Sequence, residues 1–264
     1  MTHLVALVGP TASGKSAIAL DVARQLGDVE IVTVDSMQVY RGLDIGTAKP
    51  TAAERAEIPH HLLDVVDVEE EFSVAEFQRA ARACIDDIRA RRRRPLLVGG
   101  TGLYLRAVLD DLDLPGQFPE VRAELAAEPD VERLHARLAV LDPLAASRTT
   151  TTNRRRIERA LEVTLGSGRP FSSYGPGLTS YPAGPVQVGL DVPVDELDRR
   201  IAVRVHGMLA AGLLEEAVAA TIARTRRLAR RQLRWFRRDP RVRWVPPLDA
   251  SVVVTDALGY SAWR

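Results

Sequence analysis

The stretch GPTASGKS, residues 9–16, follows the apolar run LVALV at residues 4–8 and leads into SAIALDVARQL. A strand-like run, a glycine-rich turn and a helical stretch in that order fit the pattern G-x-x-x-x-G-K-[ST] in the context it requires. The loop Gly9, Pro10, Thr11, Ala12, Ser13 and Gly14 can fold tightly enough for its N–H groups to point into one concavity. That concavity opens at the start of a helix whose dipole favours anions. Lys15 is placed to reach bound phosphates, and Ser16 offers its hydroxyl to a magnesium ion. The bland alternative is an ordinary glycine-containing turn. Against it, the chain has 36 Lys and Arg yet places lysine at two positions, Lys15 and Lys49.

Beyond the loop, short apolar runs alternate with amphipathic segments: LVALV, EIVTVD, the helical FSVAEFQRAARACIDDIRARRRR, then PLLVGG. This rhythm predicts an α/β fold, a parallel sheet of the P-loop NTPase-like kind with helices on both faces. From Gln117 the pattern turns helical, broken by GSGRPFSSYGPGLTSYPAG, and VQVGLDV then returns to the sheet. The expected division is a core at 1–116, a helical insertion domain at 117–182, and a return to the core with a basic helical region at 183–264. The final stretch, VPPLDASVVVTDALGYSAWR, is proline-broken and then apolar, and receives no role. With 46% hydrophobic and 27% charged residues the composition is that of a soluble globular protein. The single cysteine, Cys84, rules out an internal disulfide and reads as a small buried hydrophobe. No run approaches membrane-spanning length and no signal peptide is evident, so a cytoplasmic protein is expected.

A second constellation follows the second strand, in VDSMQVYRGLDIGTAKP at residues 34–50. Ligands of doubly wound sheets bind beyond the carboxyl ends of the strands, which puts Asp35 beside the phosphate loop. Asp35 could hold magnesium through water, act as a general base, or merely cap a turn. The next strand ends in GGTGLYLRAV, where glycines bring backbone close to a ligand and Thr101 offers a hydroxyl or a helix cap. His60 and His61 lack a ligand set of familiar spacing. Arg89 to Arg94 could form an RNA patch, but read better as the basic C-terminus of a helix before Pro95.

GPTASGKS, DSMQVYRGLDIGTAKP, IPHHLLD, FSVAEFQ, VGGTGLYLRA, RRRIERALEV and TRRLARRQLRWFRRDPRVRW together resemble the tRNA isopentenyltransferase family, the bacterial tRNA dimethylallyltransferases. The matches run in family order from residue 4 to about residue 244. The resemblance implies transfer of a dimethylallyl group from dimethylallyl diphosphate to the exocyclic amine of the adenosine on the 3-prime side of the tRNA anticodon. It makes the loop a cradle for a diphosphate leaving group, with Mg2+ on Ser16 and Lys15, Asp35 and Thr101 as catalytic residues. Asp35 would take a proton from, or hydrogen-bond, the attacking amine. Asp35, Ser36, Met37, Gln38 and Thr101 would contact the extruded adenine, Gln38 offering both donor and acceptor. Arg122, Arg155, Arg156, Arg159, Arg230, Arg231, Gln232 and Trp235 match the family's RNA-contacting regions, and the partners implied are the anticodon stem-loop of tRNA and dimethylallyl diphosphate, bound by a monomer.

The chain departs from the family between GLLEE and TRRLARRQ, where relatives carry a G-Y-[KR]-[EQ] motif with a basic residue near the diphosphate. Three other functions remain open on the sequence. Prenylation of free adenine nucleotides would need no anticodon-binding surface. A small-molecule kinase would leave DSMQVYRGLDIGTAKP unexplained. A non-catalytic RNA-binding protein would have no need of intact Lys15, Ser16, Asp35 and Thr101.

Overall fold

The computed structural model describes residues 4–174, 181, 184–211 and 218–260. Among them, six strands build one sheet: β1 (Val5–Val8), β2 (Val29–Val34), β3 (His60–His61), β4 (Arg94–Gly99), β5 (Val186–Leu190) and β6 (Val242–Val245). All pairings are parallel and the order is β3-β2-β4-β1-β5-β6. The sheet is the parallel α/β arrangement expected from the alternating pattern. Two of its strands lie outside the pattern first read: the two-residue β3, which occupies the edge beside β2, and β6, formed by VRWV.

Alternation along each strand feeds two apolar layers. Val5 and Leu7 of β1, Val29 and Ile31 of β2, and Leu96 and Val98 of β4 point to one face. There they meet α1 (Lys15–Leu26) through Ile18, Ala19, Val22 and Ala23. Ala6 and Val8, Val32 and Val34, and Leu97 point to the other face. They are covered by Phe77, Ala81, Ile85 and Ile88 of α3 (Val74–Ala90), and by Leu105 and Val108 of α4 (Gly102–Leu109). Cys84 packs half-buried on this side, and burial pushes its thiol up to about 11.

The segment VPPLDASVVVTDALGY, given no role from sequence, is structural. It forms α11 (Pro247–Tyr260), with Pro247 at the first helical position, where its missing N–H costs nothing. Ala250, Val254 and Leu258, one stripe at four-residue spacing, enter the layer of α1. Two further helices complete the unit, α9 (Val194–Ala210) and α10 (Val218–Phe236), joined through Ile201, Val205 and Ala229.

The chain divides into two compact units, residues 1–110 with 181–264, and 111–180. The second unit is helical: α5 (Pro119–Ala126), α6 (Val131–Leu141), α7 (Pro143–Ser147) and α8 (Arg154–Ser167) close over Leu125, Leu134, Leu138, Ile157 and Leu161. Of the loop read at GSGRPFSSYGPGLTSYPAG, residues 175–180 and 182–183 lie outside the described residues.

Leu258 is buried to 2% in the α1 layer. Leu258→Ala is expected to cost roughly 2–4 kcal/mol, read as a lower urea midpoint at unchanged slope.

Candidate functional site

Helix α1 begins without a side-chain cap: its N-cap is Gly14, in the left-handed region at φ 97. By contrast α2 (Ala52–Glu57) and α3 both start with reciprocal capping boxes, Thr51 with Glu54 and Ser73 with Glu76. The first-turn amides of α1 are thus left for an anion. The Ser13 hydroxyl is buried inside the same loop without a hydrogen-bond partner. Lys15 folds over the loop, its Nζ donating to the carbonyls of Gly9 at 3.0 Å and Pro10 at 2.7 Å. Burial depresses its ammonium to about 8, the charge of Asp35 opposing and that of Arg204 assisting.

Thr11 is held at both polar groups. Its N–H donates to Oε1 of Gln232 at 2.9 Å, and its hydroxyl accepts from Nη1 of Arg204 at 3.1 Å. Nη2 of Arg204 donates to the Thr47 carbonyl at 3.3 Å, and Nη1 of Arg200 to the Ser13 carbonyl at 3.4 Å. Burial lowers the Arg204 pKa while Asp35 supports its charge. Arg204 belongs to none of the motifs in the sequence. The signal was there: α9 buries Leu197, Ile201, Val205 and Met208, and Arg204 falls seven residues after Leu197 on that stripe. An arginine at an apolar position of an amphipathic helix needs a partner inside the fold.

Strand β4 lies between β1 and β2, so the turn after it sits between the phosphate loop and Asp35. Thr101 supplies no side-chain cap to α4; its Oγ1 accepts the N–H of Ser36 at 3.2 Å and ties the two turns together. Oδ1 of Asp35 accepts the N–H of Met37 at 2.8 Å and of Gln38 at 3.4 Å. Asp35 is therefore a turn cap through one oxygen, while Oδ2 has no partner among the described residues. Met37 is half-exposed. The carboxamide of Gln38 gives both hydrogens to chain carbonyls, Thr47 at 2.9 Å and Ala48 at 3.2 Å. The donor-and-acceptor role expected of Gln38 is thereby reduced to that of an acceptor, because both N–H groups are already engaged.

Gln232 and Trp235, three residues apart on α10, lean on the β4–α4 turn. A Cβ on Gly100 would stand 2.4 Å from Nε2 of Gln232 and would displace that carboxamide from Thr11, and one on Gly102 would stand 1.9 Å from the Trp235 ring, which leaves room only for glycine at that position. The arginines expected to face RNA divide into two groups. Arg230 pairs with Asp198 at 2.5 Å. Arg122 and Arg159 converge on Glu162, whose side chain is 2% exposed, at 3.2 and 2.9 Å. Burial acts against the Glu162 charge, but the Phe118 amide and the two guanidiniums outweigh it and hold the carboxyl low. Arg155, Arg156 and Arg231 are exposed.

Among the described residues no three His, Cys, Asp or Glu side chains gather to hold a metal. His60 bonds the Ile58 carbonyl and His61 the Glu30 carboxylate. Magnesium needs less, since it keeps several waters and takes phosphate oxygens as ligands. The exposed hydroxyl of Ser16 and Oδ2 of Asp35 are the right donor types for it. A cavity of about 640 Å³ adjoins the site, lined in part by Lys49, Arg55, Arg204 and Met208. No helix among the described residues is long and apolar enough to cross a membrane.

The sequence profile of the IPP transferase family matches residues 38–219. The chain is 48% identical over 290 residues to a tRNA dimethylallyltransferase of Thermobifida fusca, covering 93% of this chain and 90% of that one. A tRNA dimethylallyltransferase of Kineococcus radiotolerans is 48% identical over 292 residues, covering 94% and 92%. Among solved structures, a full-length tRNA isopentenylpyrophosphate transferase from Bacillus halodurans superposes with a TM-score of 0.68 at 35% identity, over 99% and 98% of the two chains. A eukaryotic dimethylallyltransferase acting on tRNA shares the fold, with a TM-score of 0.78 at 22% identity over 95% and 76%. The alignment to the Thermobifida protein extends over 290 residues whereas this chain has 264, so it crosses residues that this chain lacks.

Glu162→Ala strands two guanidiniums and a backbone amide and is expected to cost about 2–3 kcal/mol, measured by urea unfolding. A second expectation concerns Lys15, whose ammonium is half-titrated near pH 8. An anion in the cradle favours the charged form and raises that pKa. The bound state then holds more protons, and affinity for inorganic diphosphate falls as pH rises through 8. Calorimetry near pH 8 in buffers of different ionisation enthalpy should show proton uptake, and Lys15→Met should lose that component.

Proposed function

The chain belongs to the IPP transferase family, and from that premise we propose that it transfers the dimethylallyl group of dimethylallyl diphosphate to N6 of the adenosine 3-prime to the tRNA anticodon, releasing diphosphate. The observation that carries this reading is one edge of the sheet. The uncapped α1 with half-buried Lys15, the half-used carboxylate of Asp35 and the acceptor oxygen of Gln38 stand at the ends of β1 and β2, with Thr101 bridging from β4.

In the reaction the bond from N6 to the allylic carbon forms as the bond from that carbon to the diphosphate oxygen breaks. Lys15 exchanges its two carbonyl partners for departing diphosphate oxygens, and the loop amides and the Ser13 hydroxyl supply further donors. Arg204, fixed on Thr11 and Thr47, adds a second cation to the same loop. Oδ2 of Asp35 receives the amine proton, while Oδ1 keeps the carboxylate in place through the amides of Met37 and Gln38. Magnesium, when bound, would be held by Ser16 and would neutralise charge on the leaving diphosphate. An aromatic amine is a weak nucleophile, so fixing it against the allylic carbon supplies much of the rate. The adenine must leave the anticodon stack to reach this edge, and the exposed Arg155, Arg156 and Arg231 suit the RNA backbone.

The test is a transfer assay with labelled dimethylallyl diphosphate and magnesium, offering unmodified tRNA, an anticodon stem-loop and AMP in parallel. Label is expected on the two RNAs and not on AMP; label on AMP alone would assign the chain to nucleotide prenylation instead. Asp35→Ala should lower turnover by about 100-fold or more with tRNA affinity unchanged within severalfold. Unchanged turnover in that variant would refute Asp35 as the base.

A further inference from the structure

Lys49 is the second of the two lysines in the chain. Its side chain is 1% exposed, and its three N–H donors are all used. Nζ donates to the Tyr40 carbonyl at 2.6 Å, to Oδ1 of Asp44 at 2.9 Å and to Oδ1 of Asp64 at 2.6 Å. Asp64 is held on its other oxygen by Arg55 at 2.6 Å, and Arg55 also donates to the Pro50 carbonyl at 2.9 Å. Burial acts against the charge on Asp64, yet the bonds from Lys49 and Arg55 keep its carboxyl below the usual range. Two members of this assembly stand in the left-handed region, Ala48 at φ 48 and Asp64 at φ 55. Backbone in that region persists when surrounding contacts over-determine it. A compact ammonium meets three converging acceptors where a planar guanidinium does not, which accounts for lysine here in a chain that otherwise uses arginine.

The product of this staple is the direction of two carbonyls. Thr47 and Ala48, immediately before Lys49, both aim at Nε2 of Gln38. Two carbonyls cannot accept from an amide oxygen, so the carboxamide has one allowed orientation and only Oε1 remains available. We propose that Lys49 is a positioning residue that locks Gln38 as a pure acceptor and thereby makes the base pocket select an amino purine over an oxo purine. This rests on the reading that Gln38 faces the target adenine. A locked acceptor takes a hydrogen from the exocyclic amine of adenine and is set against the carbonyl of hypoxanthine. A carboxamide free to turn would accommodate either.

The experiment compares two anticodon stem-loops, identical except for adenosine or inosine at the target position, binding in the presence of inorganic diphosphate and followed by fluorescence anisotropy. The wild-type chain is expected to bind the inosine loop about tenfold or more weakly. Lys49→Met should bring the ratio of the two dissociation constants toward one with a smaller loss of affinity for the adenosine loop. Lys49→Arg should fall between, and Gln38→Ala should bind both loops alike. Equal binding of both loops by the wild type overturns the proposal, as does an unchanged ratio in a Lys49→Met protein with native circular dichroism. Should neither Lys49 variant fold, wild type and Gln38→Ala decide: equal ratios in those two overturn it. If neither loop binds to any protein, the tRNA reading itself falls and takes this inference with it.

Discussion

The most demanding element of the structure is a half-buried lysine whose ammonium has no carboxylate bonded to it. Lys15 rests on two backbone carbonyls, in a loop that also buries an unpartnered serine hydroxyl and opens on an uncapped helix. Each of these groups is expensive to bury and each would be relieved by the same thing, an anion with several oxygens. The rest of the site is arranged around that deficit. Arg204 and Gln232 hold Thr11 from two different helices, so the lip of the loop is fixed without using the donors that face inward. The depressed Lys15 pKa is the same deficit expressed in protons.

How much of this could be read in advance depended on whether a residue's role was local. GPTASGKS announced itself because strand, turn, helix and cradle are consecutive in sequence. That Asp35 and Thr101 lie on neighbouring turns follows from sequence because strand ends in a parallel sheet share an edge, whatever the connections between them. Arg204 was missed because its partners are 157 and 193 residues away and its own segment reads as an ordinary amphipathic helix. Strand β3 was missed because two residues carry no period, and α11 because two prolines in front of an apolar run disguise a helix start. The segment that holds Gln38 is legible in the sequence, but the direction of its amide is set by carbonyls nine and ten residues on.

The arginines show a related limit. By sequence, RRRIERALEV and LARRQLRWFRR both read as basic, yet their arginines, together with Arg122 and Arg226, play different parts. Arg122 and Arg159 neutralise the buried Glu162 and close the helical unit; Arg226 and Arg230 tie α10 to Asp198 of α9. A guanidinium engaged by an internal carboxylate has little charge left for a phosphate, although its exposed edge keeps donors in a fixed direction. The unpaired cations that attract a polyanion by counterion release are better sought at exposed positions such as Arg155, Arg156 and Arg231. A motif match counts basic residues; the fold decides which of them are still basic toward solvent.

The same reasoning bears on the stretch that relatives have and this chain lacks. Its absence before TRRLARRQ removes a basic residue expected near the diphosphate, and the join borders residues 212–217, which lie outside the described residues. What remains includes two cations on the loop, Lys15 and Arg204, beside Arg200 on the Ser13 carbonyl, and the amides of α1. Neither depends on that stretch: Lys15 is placed by the turn after β1, and Arg204 by the packed face of α9 that contains Ile201 and Val205. Loss of one charge-assisted contact from a set of this size weakens anion binding by a step and leaves the cradle's geometry in place. The turn after β2 is more independent still, since Asp35, Thr101 and Gln38 are fixed by bonds within the first 101 residues. A chain shortened at this point therefore keeps the glycine-rich loop with Lys15 and the turn with Asp35 on separate supports.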